Sequence, residues 1–97
     1  MDRIDTLTAD TVGTVTLAAG NVDEVEVISD GAAEVFYRLG YTTGTVADPT
    51  VDDLDPDVFY LPATVCSRTH KRRGGQTATV VKLISAGTPK ICVQPLR

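Results

Sequence analysis

The stretch "VDEVEVIS" (residues 22–29) decides the fold class, because its side chains alternate between apolar and acidic. Val25 and Val27 alternate with Glu24 and Glu26. A period of two residues places one set of side chains on each face of a β-strand. The stretch therefore predicts a strand that has valines on a buried face and carboxylates on a solvated face.

The same alternation, rich in valine and threonine, recurs along the chain. It predicts five further strands, at residues 11–17, 33–39, 58–62, 77–85 and 90–94. In the second of these it places Ala33, Val35, Tyr37 and Leu39 on one face. No window of the sequence has a convincing helical stripe.

Turn residues separate the predicted strands. Asp30-Gly31 predicts a hairpin, and Gly87 with Pro89 predicts a second one. The sequence thus predicts an all-β protein: a small antiparallel β-sandwich or barrel of about six to eight short strands. One domain spans residues 1–97, and residues 1–8 form either a strand or an N-terminal arm.

The sequence indicates which residue types form the core and in which cellular compartment the protein is made. With two Phe, three Tyr and no Trp, the core must consist mainly of Val, Leu, Ile and Ala. The sequence has no signal-peptide pattern and no run of about 18 apolar residues, so we expect a soluble protein made in the cytoplasm. In that compartment Cys66 and Cys92 should be reduced, unless their strands pair side by side.

Charge is segregated along the sequence. Residues 1–57 contain all 13 acids and two bases, whereas residues 58–97 contain seven bases and no acid. The two parts carry −11 and +7, which leaves the net charge of −4. The simplest interpretation is that the two parts neutralise each other within one fold. The alternative is that each part meets an oppositely charged partner.

Two segments lie outside the strand pattern, and both are predicted to be loops. Residues 40–57 form a long acidic loop, and loops of this length tend to be functional or mobile. Residues 66–76 form a basic loop, which would contact a protein, remain a solvated loop, or bind nucleic acid phosphates. Nucleic acid is the weakest of these, because the pI is about 4.7 and no stacking aromatic is nearby.

These loops supply the candidate site residues, all of them for binding a protein partner. The basic set is Arg68, His70, Lys71, Arg72 and Arg73. The acidic set is Asp52, Asp53, Asp55 and Asp57, and the candidate apolar anchors beside it are Phe59 and Tyr60.

The sequence predicts no metal, no cofactor and no enzymatic activity. The spacing of Asp53, Asp55 and Asp57 begins like an EF-hand loop, but the required Gly and the final Glu are missing. Cys66, His70 and Cys92 lack a fourth ligand and the close pairs of a zinc site. A Cys66–His70 nucleophile pair would have no third orienting group.

The order of segments resembles small all-β virion proteins of tailed phages that infect actinobacteria. The resemblance lies in "VEVISDGAAEVFYRLGYTTGTVADPTVDD…VFYLPA", followed by "ATVVKLISAGTPKICVQPL". The matching positions lie within residues 8–95, and they are Val25–Val35, Pro49–Val51, Tyr60–Ala63 and Val80–Pro89. In that family the basic stretch is expected to be shorter and less charged.

The resemblance implies a structural virion protein that is assembled in the host cytoplasm. It implies a capsid decoration or cement protein that binds the major capsid protein lattice and neighbouring copies of itself. A tail or head–tail junction protein remains the alternative. A nucleic-acid-binding module is a third possibility, and neither a cofactor nor a membrane is expected as a partner.

Overall fold

A computed structural model describes residues 3–17, 24–40, 46–64, 66–71 and 79–96. These residues form eight strands and no helix. The strands are β1 (Arg3–Thr6), β2 (Gly13–Leu17), β3 (Glu24–Ser29), β4 (Val35–Gly40), β5 (Phe59–Leu61), β6 (Cys66–Lys71), β7 (Thr79–Ile84) and β8 (Lys90–Leu96).

The strands build two four-stranded antiparallel sheets. Sheet A has the order β1-β8-β3-β6, and sheet B has the order β2-β7-β4-β5. Every connection except the one between β4 and β5 passes from one sheet to the other. The molecule is therefore a β-sandwich, and the all-β prediction is confirmed.

Alternation along the strands builds the core between the sheets. Val25 and Val27 of β3 are fully buried, whereas Glu24, Glu26 and Ile28, which alternate with them, are half-buried. Sheet B supplies larger side chains, including Tyr37 and Leu61, which are also fully buried. Each buried Val, Leu or Ile contributes about 1.5–3 kcal/mol relative to an exposed one. The core is largely aliphatic, as the composition predicts.

All six predicted strands are present, and two more are found. Residues 3–6 form β1, which pairs with β8, and Leu7 after it is only 3% exposed. The alternative of a free N-terminal arm is therefore wrong for these residues. The prediction of a loop at 66–76 is wrong for residues 66–71, which form β6 and pair with β3. Residues 72–76 lie outside the described residues.

The two predicted hairpins are corners between the sheets. Turns do form at both places: Gly31 has a φ of 83°, and the Asp30 carboxylate accepts a hydrogen bond from the Ala32 amide. However, β3 already has β6 and β8 as neighbours, so β4 joins the other sheet. Likewise, β7 lies in sheet B and β8 in sheet A. A turn signal shows where the chain reverses, but not which strands pair.

Residues 46–57 cross the outer face of sheet B, and we call this segment the strap. Val46 is 9% exposed, and its side chain lies so close to Gly40 of β4 that a Cβ there would collide with it. Pro49 is fully buried. The described part of the predicted long acidic loop is thus attached to the fold through Val46 and Pro49. Residues 41–45, which begin that loop, lie outside the described residues.

Candidate partner-binding surfaces

Two cations on the outer face of sheet B hold the strap in place. Arg38 of β4 lies directly opposite Lys82 of β7 in the antiparallel register. Like charges in this position destabilise a sheet unless anions compensate for them. The strap supplies those anions: Asp48 lies 3.1 Å from Lys82, and Asp55 lies 3.0 Å from Arg38. Asp53 adds a longer contact of 3.7 Å to Arg38.

The strap's own backbone uses the same carboxylates. Asp53 accepts hydrogen bonds from the amides of Thr50 and Asp55, and Asp55 accepts one from the amide of Asp57. These bonds, more than Arg38, lower the pKa of Asp53 below its usual value. The pKa of Asp55 is lowered by the Asp57 amide first and by the Arg38 guanidinium second. Both carboxylates therefore serve the fold, although both belong to the predicted partner-binding set.

What the strap presents outward is a leucine with two carboxylates. Leu54 is 95% exposed, and Asp52 and Asp57 beside it are also exposed. Neither of these aspartates forms an ion pair with a described residue. Asp52 has a φ of 60°, in the left-handed region. The tip is therefore an apolar side chain on a backbone whose shape is set by internal hydrogen bonds.

Leu54 is not among the site residues that the sequence predicts. Its signal is a lone leucine inside "DDLDPD" (52–57), where every neighbour is an acid or a proline. Alternation cannot reveal such a residue, because it lies outside any strand. Only the packing of the strap shows that this leucine points away from the core.

The basic residues do not form one exposed cluster. Val25 and Val27, which face the core, lie opposite His70 and Arg68 in the register of β3 and β6. Directly opposite residues share a face of an antiparallel sheet, so Arg68 and His70 lie on the inner face. Lys71 lies opposite Glu24 and shares its outer face. Arg72 and Arg73 lie outside the described residues.

His70 joins the two sheets through a hydrogen bond. The Tyr37 hydroxyl and Nε2 of His70 are hydrogen-bonded at 2.6 Å, and the Phe59 ring lies 4.3 Å from the imidazole. Burial, followed by the charge of Arg68, lowers the pKa of His70 below 6.5. Burial also raises the pKa of Tyr37 above its usual value, which keeps its hydroxyl protonated. His70 was predicted for a partner surface, whereas these contacts are internal.

The two predicted apolar anchors differ in their environments. Phe59 lies on the inner face, where its ring packs 5.4 Å from Tyr37 and beneath the Arg68 guanidinium at 5.3 Å. Phe59 is half-buried in this position. Tyr60 lies on the outer face, packs 5.2 Å from Phe36 and remains 41% exposed. Tyr60 can therefore contact a partner without rearrangement.

The cysteines form neither a pair nor a metal group in the described part of the chain. Cys66 lies opposite Ser29, and Cys92 lies opposite Ile28, so the two occupy opposite faces of sheet A with β3 between them. No disulfide joins them. The described residues also contain no cluster of three His, Cys, Asp or Glu side chains that could hold a metal ion.

A cleft of about 460 Å³ lies between the strap and the end of β4. Its described walls include Val46, Pro56 and Phe59, and their ionisable residues are Arg38 and Asp57. Arg38 is engaged with the strap. The described residues that line this cleft do not include a nucleophile paired with a base.

Comparison with known proteins gives no match at the level of a family model, a curated relative or a solved structure. Within the described residues, no helix is long and apolar enough to span a membrane.

Proposed function

We propose that the chain is a structural virion protein: a decoration protein that binds the major capsid protein lattice and stabilises the shell. The resemblance of its turns and strand ends to those of phage virion proteins supports the assignment to structural virion proteins. The feature of the molecule that supports a docking role is the strap tip, defined as Leu54 with the carboxylates of Asp52 and Asp57.

The strap tip has the physical properties of a binding anchor. Burying an exposed leucine contributes about 1.5–3 kcal/mol, and a side chain on an ordered backbone loses little entropy on binding. Leu54 is 95% exposed, and the strap beneath it is held by Arg38 and Lys82. Two carboxylates beside the leucine favour a socket that is apolar at its centre and has lysine or arginine at its rim.

Many weak contacts suffice for a protein that binds a symmetric lattice. Each copy needs only a small anchor when neighbouring copies bind nearby, because the second contact forms at high effective concentration. One leucine and two carboxylates are an anchor of this size. A junction ring in the tail contains few copies, so copy number per particle distinguishes it from a decoration protein.

The test uses shells assembled from the major capsid protein of the genome that encodes the chain. At low salt the wild-type chain should co-sediment with these shells, and Leu54→Ser should weaken binding about 10- to 100-fold. Asp52→Asn with Asp57→Asn should weaken it further at low salt, and the loss should shrink as salt is added.

Glu24→Gln is the matched control, because it removes a charge on sheet A, away from the strap. It should leave binding unchanged. Failure of the wild-type chain to co-sediment would overturn the proposal. Full binding of Leu54→Ser would show that the strap tip is not the anchor. Binding to naked DNA that disappears steeply with salt would favour a nucleic-acid-binding module instead.

A further inference from the structure

A groove of about 270 Å³ lies between the start of β4, the strap and the corner that joins β7 to β8. It shares no described lining residue with the cleft beside Gly40. Pockets that enclose a small-molecule ligand usually measure about 300–1,000 Å³. A groove just below that range suits a single side chain of a binding partner better than a whole metabolite.

One wall of the groove is apolar and continues into an exposed aromatic ring. Phe36 of β4 and Val51 of the strap line this wall. Tyr60 lies opposite Phe36 in the register of β4 and β5, and the two rings pack 5.2 Å apart. Because Tyr60 remains 41% exposed, its ring extends the aromatic surface beside the groove.

Two exposed carboxylates, those of Glu34 and Asp52, also line the groove. Neither forms an ion pair with a described residue. Partial burial, followed by the charge of Glu34, a hydrogen bond to it and the charge of Asp52, raises the pKa of Tyr60 above its usual value. Both carboxylates therefore lie close enough to act on one phenolic hydroxyl, and no described cation neutralises them.

The backbone that carries each carboxylate is held by hydrogen bonds. On one side, the buried Ser85 hydroxyl donates to the carbonyl oxygen of Glu34 at 2.6 Å. On the other side, Asp52 lies in a turn that the Asp53 amide closes on the carbonyl oxygen of Thr50 at 3.2 Å. A partner that binds between these two segments therefore spends little free energy on ordering them.

We propose that this groove, which we call the acidic groove, binds an arginine side chain of a partner protein. The aliphatic stem of the arginine packs on Phe36 and Val51, and the guanidinium lies between Glu34 and Asp52 beside the Tyr60 ring. A guanidinium fits these groups because it is planar, donates several hydrogen bonds to carboxylates and stacks on aromatic rings. A lysine ammonium is a more strongly hydrated point charge and has no face to stack.

The acidic groove adjoins the strap tip, because Asp52 belongs to both. One partner can therefore bury Leu54 and insert an arginine into the groove in the same contact. The inference goes beyond the proposed virion role and does not depend on it, since the recognition of arginine can be measured without a shell.

The test is an NMR titration of the ¹⁵N-labelled full-length chain with short glycine peptides that have blocked ends and one central arginine, citrulline or lysine. Citrulline keeps the shape of arginine but carries no charge. The arginine peptide should bind with a Kd of about 1–10 mM and shift the amide resonances of Glu34, Phe36 and Asp52, but not those of β6. The citrulline peptide should bind at least about tenfold more weakly, and the lysine peptide at least about threefold more weakly.

A double variant and a matched control assign the binding to the groove. Glu34→Gln/Asp52→Asn should weaken the arginine peptide at least about tenfold. Glutamine keeps an acceptor for the Tyr60 hydroxyl, and asparagine tolerates the positive φ of Asp52. Glu24→Gln/Glu26→Gln removes the same charge from the outer face of sheet A and should leave the affinity unchanged.

The absence of saturable shifts with the arginine peptide would overturn the proposal, and so would equal affinity for the arginine peptide and either of the other two. These comparisons use the wild type and need no folded variant. A control that loses as much affinity as the groove variant would show attraction to net charge alone, which also overturns it. If the arginine peptide binds but capsid shells do not, the proposed virion role fails while the acidic groove stands.

Discussion

His70 and Tyr37 form the polar link between the two sheets at the side where β5 and β6 lie. The hydroxyl of Tyr37 is fully enclosed and is hydrogen-bonded to Nε2 of His70 at 2.6 Å. The lowered pKa of His70 favours the neutral imidazole, which accepts this bond at Nε2 in one tautomer and donates it there in the other.

The protonation of His70 makes the free energy of unfolding depend on pH below about 6.5. The pKa of His70 is lowered in the folded chain, so the unfolded chain binds the proton first as pH falls through about 6.5. The free energy of unfolding should therefore be highest above this pH, and it should decline as pH falls toward the lowered pKa. His70→Gln, which retains a hydrogen-bonding group for Tyr37, should flatten the dependence below about pH 6.5.

Urea unfolding at half-unit pH steps measures this effect. His70 is the only histidine in the chain, so no other imidazole contributes to the window. The carboxylates of Asp53 and Asp55 titrate below 3.8, outside it. A slope that persists unchanged in His70→Gln would show that the imidazole is not its source.

At the scale of the element, Arg38 contacts the strap through the carboxylate of Asp55. The Asp57 amide contributes most to the lowered pKa of Asp55, and the Arg38 guanidinium comes second. For Asp53 two backbone amides dominate and Arg38 contributes least. Arg38→Gln should therefore raise the pKa of Asp55 clearly and that of Asp53 only slightly. A pH titration followed by carboxyl-carbon NMR measures both values in one sample.

Arg38→Lys is the matched variant, because it keeps the charge but loses the planar guanidinium. We expect it to preserve most of the lowering at Asp55. Equal increases at Asp53 and Asp55 in Arg38→Gln would mean that the strap had detached as a whole. In that case the strap backbone would not hold its own shape.

Gly40 is the position where the strap most closely approaches the sheet. A Cβ at this position would collide with a methyl group of Val46, so Gly40→Ala should lift the strap and cost about 1–3 kcal/mol of stability. Val46→Ala removes that methyl group. The double variant should therefore recover much of the loss, and a double-mutant cycle from urea unfolding measures the coupling. Additive costs would show that Gly40 and Val46 do not interact.

At the scale of the whole molecule, the arrangement of the sheets separates the two cysteines. Cys66 and Cys92 lie on opposite faces of sheet A, and β3 lies between their strands. Neighbouring strands are about 4.8 Å apart, so two strand spacings exceed the Cα separation of about 7 Å that a disulfide allows. Oxidation of the native chain with diamide should therefore give no intramolecular disulfide.

Intact-mass spectrometry under non-reducing conditions measures the outcome. The monomer should keep the mass of two thiols when it is oxidised while folded, and it should lose two hydrogens when it is oxidised in urea. Loss of two hydrogens from the native chain would contradict the strand order of sheet A.

The sequence by itself determined the strands, because side-chain alternation and β-branched residues act over a few neighbours. The described parts of residues 22–29 and of the five similar segments all contain strands for this reason, and the turn at Asp30-Gly31 formed where its residues predicted. The acidic character of the strap and the expectation of reduced thiols follow from composition in the same way, yet neither reveals which atoms meet.

Only the tertiary structure decided which strands pair, and the pairing determined the face and the contacts of the charged side chains. β6 lacks apolar alternation and became a strand because β3 offered it an edge, which placed His70 and the exposed Arg68 on the inner face of sheet A. The register of β4 and β7 places Arg38 beside Lys82. These two cations bind carboxylates of the strap, and Leu54 remains exposed to solvent. Strands far apart in sequence pair according to which strand edges are available in the whole fold. A local sequence pattern carries no information about those edges.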